Sequence, residues 1–138
     1  MAGWVSDYLK GKLLDHALGN TAYTAPSTVY LALYTVAPTS AGGGTEVTGG
    51  SYARIAVTNN TTNFPDASGT STKTKGLHVQ QDFSPLPSAI WGTVVAMTLM
   101  DASSGGNQLI GTNEVTPTPI GTNDPVSVLA DTFLLFLT

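Results

Sequence analysis

Residues 6–35 read SDYLKGKLLDHALGN, then TAYTAPS, then TVYLALYT, and this run decides the fold. Ser6 is placed to cap a helix, and Asp7 falls in the first turn, where the helix dipole favours an acid. Leu9, Leu13, Leu14, Ala17 and Leu18 recur at three- and four-residue spacings and share one face. Gly19 and Asn20 supply the stop, so the pattern predicts an amphipathic helix over residues 6–19. Gly11 weakens its middle by roughly 1 kcal/mol relative to Ala. A helix of this length is marginal alone, so its apolar face is expected to dock on the rest of the chain. Pro26 then forbids helix continuation. From Thr28 to Thr35 the period becomes two: Val29, Leu31 and Leu33 point one way, Tyr30, Ala32 and Tyr34 the other. Both faces are largely apolar. That predicts a central strand covered on one side by an opposing sheet and on the other by the helix.

Outward from this run, strands and loops alternate. Ala37 to Ser51 is rich in Gly, Thr and Ser, and Tyr52 to Thr58 reads as a second strand. Asn59 to Lys75 is a long polar excursion, after which Leu77 to Phe83 resumes alternation. Pro85 and Pro87 break the chain before Trp91, a core anchor. Thr93 to Asp101 is a strongly apolar strand, and residues 103–107 form a turn by composition. Gln108 to Val115 completes a hairpin. Val126 to Leu137 supplies one or two last strands. The reading is a mainly β fold, a β-sandwich or jelly roll of about six to eight strands with one N-terminal helix. The length, 138 residues, suits one domain spanning 1–138.

Composition narrows the function classes. With no cysteine, disulfides and thiolate metal sites are excluded. Only 10% of residues are charged, against roughly 25% in typical domains. Thr, Ser, Asn and Gly take their place, which fits either a neutral β surface or one depleted of charge for protein contacts. The basic residues, Lys10, Lys12, Arg54, Lys73 and Lys75, form no stripe, which argues against nucleic acid as a partner. The apolar run Phe133 to Leu137 is too short to span a bilayer, and no membrane partner is expected. Met1 to Lys10 lacks the pattern of a signal peptide, so synthesis in the cytoplasm is the expectation.

Nothing in the chain points to catalysis. His16 and His78 have no second His, Asp or Glu at a recognised metal spacing, so no cofactor is expected. Residues 44–51 have the outline of a phosphate loop. Gly50 stands where the essential Lys belongs, and a strand follows where a helix should. Asp101 and Asp131 sit near strand ends, where carboxylates cap turns. Trp4 precedes the helix, where it staples the helix or meets a partner.

The pattern S-x-Y-L-x-x-x-L-L-D-H-x-L-G followed by T-A-Y-T-A-P-x-T-V-Y-x-A-L-x-T stands here from Ser6 to Thr35. Thr45-Glu46-Val47, Gly49 to Arg54, Trp91 to Val94, Asp101-Ala102 and Gly105 to Asn107 accompany it. In these residues the chain resembles a family of small tailed-bacteriophage virion structural proteins, often labelled tail fibre or minor structural proteins. The resemblance implies a non-enzymatic virion component made in the host cytoplasm. The chain lacks the heptads or fibrous repeat of a fibre shaft, so a compact capsid decoration (cement) protein bridging major capsid subunits is the first expectation. A tail-associated fibre or baseplate component is the alternative. A carbohydrate-binding module using Tyr30, Tyr34 and Tyr52 ranks third. Expected partners are the major capsid protein or other virion proteins and further copies of the chain itself. Candidate contact residues are Trp4, Gly43, Thr45, Glu46, Thr61, Lys73 and Lys75, on the N-terminal segment and the two long loops.

Overall fold

A computed structural model describes residues 2–137; Met1 and Thr138, the ends of the expected domain, lie outside the described residues. The fold is a mainly β sandwich with one helix. In chain order the elements are β1 (Ala2–Val5), α1 (Asp7–Ala17), β2 (Thr28–Val36), β3 (Thr45–Glu46), β4 (Ile55–Thr58), β5 (Lys73–Gly76), β6 (Gln81–Asp82), β7 (Gly92–Val94), β8 (Ala96–Met100), β9 (Gln108–Thr112), β10 (Thr118–Ile120), β11 (Ser127–Val128) and β12 (Leu134–Leu137). Eight strands form the principal sheet in the order β3-β2-β8-β9-β1-β12-β5, with β4 sharing one edge of β2 with β3. The pairs β7–β10 and β6–β11 make two small antiparallel ribbons.

The strand read first from the sequence is the spine of this sheet. Val29, Leu31 and Leu33 of β2 enter the main core beside Met97 and Leu99 of β8 and Leu109 of β9. Leu77 and Phe133, which flank β5 and β12, join the same core with Phe83, Trp91, Val94, Ile120 and Val128 from the two ribbons and the residues beside them. Tyr52, Phe83 and Trp91 pack as an aromatic cluster with ring centroids 5.2–6.1 Å apart. Trp91 anchors the core as expected, and its indole N–H donates to the Gly50 carbonyl at 2.9 Å. The other face of β2 is also covered: Ala32 and Tyr34 are buried with Ala96 and Met100 of β8.

The helix corrects the expectation in two respects. It is capped as anticipated: the Ser6 hydroxyl accepts from the Leu9 N–H at 3.1 Å and donates to the Gln108 carbonyl. Yet none of its residues is buried, and only Leu9 packs on the core, so it does not bury its apolar face. Leu9 joins the cluster of Val29, Leu31 and Leu33, so the helix lies toward that face of β2 and is not the cover of the tyrosine face. The physical reason is that Ser6 and Asp7 tie the helix start to Gln108 and to the Ser40 carbonyl, fixing the helix by its end.

Ahead of the helix, β1 is a strand that the sequence did not announce. It fits between β9, antiparallel with Trp4 opposite Gly111, and β12, parallel with Gly3 opposite Leu135. Gly3 makes the insertion possible, because a Cβ there would stand 3.0 Å from the Leu134 carbonyl oxygen and 3.2 Å from that of Gly111. Gly111 in turn leaves the space that the Trp4 ring fills. Elsewhere the expected strands are shorter. Residues 52–58 yield only β4, and 93–101 split into β7 and β8, because Val95 donates to the Tyr34 carbonyl between them. Residues 77–83 yield only β6, since Leu77 is spent on the core and donates its N–H to the Phe133 carbonyl. The hairpin forms as β8–β9, with Asp101 accepting from the Asn107 N–H at 2.7 Å across its turn.

Candidate functional site

The sheet order keeps the candidate contact residues apart. Thr45 and Glu46 lie on β3 at one edge, preceded by the exposed Gly43. Lys73 and Lys75 lie on β5 at the opposite edge, and Trp4 sits half-buried between, in β1. Thr61 is exposed in a turn that the Phe64 N–H closes on the Asn60 carbonyl.

Most of the charged members of the set serve the fold. Glu46 receives Arg54 in a bidentate pair, Nε to Oε1 at 2.8 Å and Nη2 to Oε2 at 2.7 Å. The same guanidinium donates through Nη1 to the carbonyls of Ala102 and Gly105 at 2.7 and 2.8 Å, so it ties β3 to the β8–β9 turn. Tyr52 completes the cluster: its hydroxyl donates to Glu46 Oε1 and accepts from the Leu33 N–H, each at 2.9 Å. Burial pushes the Tyr52 hydroxyl far above its ordinary range, and the Glu46 bond holds the Arg54 guanidinium still more firmly charged. Lys75 donates to the Phe64 and Pro65 carbonyls at 3.1 and 3.0 Å, and Lys73 to the Gly69 carbonyl at 2.6 Å. Both lysines hold the 59–72 excursion onto the edge strand.

The aromatic platform is consumed in the same way. Tyr34 is buried, and Tyr30 and Tyr52 are half-buried against the two core clusters, so the three form no exposed aromatic platform. His78, read as lacking an acidic neighbour in sequence, meets Asp131 at 2.9 Å on the surface.

What sequence reasoning missed is apolar. Leu13 and Leu14 of the helix and Leu18 at its C-cap are 43, 61 and 80% exposed. Beside them a groove of about 230 Å³ opens toward the core, walled by Leu9 and Leu13 and floored by Val29, Phe133 and Leu135, with the exposed Lys75 also lining it. The signal was present in the run itself. Adjacent leucines at 13 and 14 spread the apolar arc wider than one docking face can bury.

A sandwich braced by an internal ion pair and edged with loops rich in Gly, Thr and Ser defines a structural module. Residues 4–135 match the model of the family described as Podophage GP4 fiber I protein gp80, and the chain belongs to that family. It is a bacteriophage structural protein, associated with the virion. No curated protein matches the chain.

Proposed function

We propose that this protein is a non-enzymatic, tail-associated structural component, a compact module of the tail fibre apparatus. The observation that carries the proposal is the family match from Trp4 to Leu135, which takes in every element from the helix to β11 and describes a fibre protein. It favours the tail over capsid decoration, the reading that composition and the missing shaft repeat had put first. The side chains are consistent with a mechanical role. Glu46, Arg54, Tyr52, Lys73 and Lys75 are spent on internal bonds, and they rigidify the loops that a partner would touch.

Quantitative mass spectrometry of purified virions tests this against the capsid reading. A tail component closes a small ring and is expected at about three to a dozen copies per particle. Hundreds of copies, scaling with the major capsid protein, would return the protein to the capsid.

A further inference from the structure

We infer that β1 and the helix behind it, residues 2–18, exchange between two copies of this chain, so that each copy's β1 completes the other's principal sheet. β1 lies between β9 and β12, and among the described residues it alone joins the ladder β3-β2-β8-β9 to the pair β12-β5. The slot is cut for its sequence. Only glycine fits at position 3 between the Leu134 and Gly111 carbonyls, and the Trp4 ring fills the space that Gly111 leaves. The same four residues from a second copy meet that slot equally well.

Behind β1 the unit is loosely held. The helix buries none of its residues, and of these only Leu9 packs on the core. Its link to the body turns back at Gly19 and Asn20, with φ of 144° and 54°. The second value lies in the left-handed region, which a residue with a side chain adopts at a cost. Two exposed hydrogen bonds close this turn: Thr21 N–H to the Asp15 carbonyl at 3.0 Å and Tyr23 N–H to His16 Nδ1 at 3.2 Å. A short hinge under strain invites exchange. Straightening it releases Asn20 and gives up those two bonds to water, while the contacts of β1, Ser6 and Asp7 are remade in the other copy. One two-fold operation makes both exchanges, which closes the assembly at two.

The chain has no cysteine, so introduced thiols report the exchange. Val5 on β1 and Ile110 on β9 stand directly opposite. Opposed Cα atoms in antiparallel strands lie about 4.5–5.5 Å apart, within reach of a disulfide. Full-length Val5→Cys and Ile110→Cys chains are unfolded together in urea, refolded at high concentration and oxidised. The mixture is expected to give a covalent species of twice the 14.2 kDa chain mass, absent from either chain refolded alone. Wild type refolded in the same way is expected to show a dimer by sedimentation equilibrium. Asn20→Gly, which relieves the hinge within the single chain, is expected to lower the dimer's share by about threefold or more. The wild-type and Asn20→Gly masses decide alone where a cysteine chain does not fold. A mixture of folded chains that forms no covalent dimer overturns the proposal. So does a wild type that stays monomeric after concentrated refolding, or a dimer whose share Asn20→Gly leaves unchanged.

Discussion

Arg54 carries its charge into a place where only 7% of its side chain meets solvent, and Glu46 answers it with 24% of its own exposed. Charge in such a position is stable only while its partner remains. Glu46→Gln keeps the shape and removes the negative charge, leaving the guanidinium against carbonyl oxygens alone. Urea unfolding is expected to show a loss of about 3 kcal/mol; a loss below about 0.5 kcal/mol, the size of an ordinary surface change, would contradict the bracing role. Tyr52 gives a pH signature. Burial raises its folded-state pKa, with a smaller opposing effect from the Leu33 N–H, so the folded state favours the protonated phenol. That stabilisation is complete below the unfolded pKa of about 10 and is lost as pH rises beyond it. Stability should therefore fall from about pH 10 upward. In Tyr52→Phe that fall should be shallower, as read from urea midpoints across the alkaline range; identical slopes would mean that Tyr52 is not the titrating group.

At the scale of elements, the helix shows how a correct local reading can lead to a wrong packing inference. Ser6, Asp7 and the leucine spacing fixed its existence and its start, because caps and periodicity are local. Which leucines would be buried depended on where the sheet lay, and no local pattern carries that. The strand β2 was legible on both faces because each face is apolar by itself. In contrast, β1 offered only Ala2, Gly3, Trp4 and Val5, too short for alternation; its place depends on two glycines, Gly3 and Gly111, over a hundred residues apart. The candidate contact residues suffered the same limit. Glu46 and Lys75 looked free because their partners, Arg54 and the carbonyls of residues 64 and 65, are supplied by folding. The cap is testable at this scale. Ser6→Ala removes both the bond from Leu9 and the bond to Gln108, and should cost about 1–2 kcal/mol by thermal or urea unfolding. A neutral substitution would mean that backbone bonds, from residue 6 to Leu109 and from Asp7 to Ser40, suffice to hold the helix start.

For the molecule as a whole, the internal economy of charge and the family match point the same way. The buried Glu46–Arg54 pair and the two edge lysines are drawn inward to stiffen loops, and the exposed surface is dominated by Gly, Thr, Ser and Asn with scattered acids and a few leucines. Such a surface suits fixed contacts in an assembly better than chemistry on a diffusing substrate. Location on the particle is therefore the claim on which the account stands. Gold-labelled antibody against the protein, applied to intact virions and viewed by electron microscopy, measures it most directly. Label confined to the tail and its fibres is the expected result; label spread over the capsid shell would contradict a place in the tail.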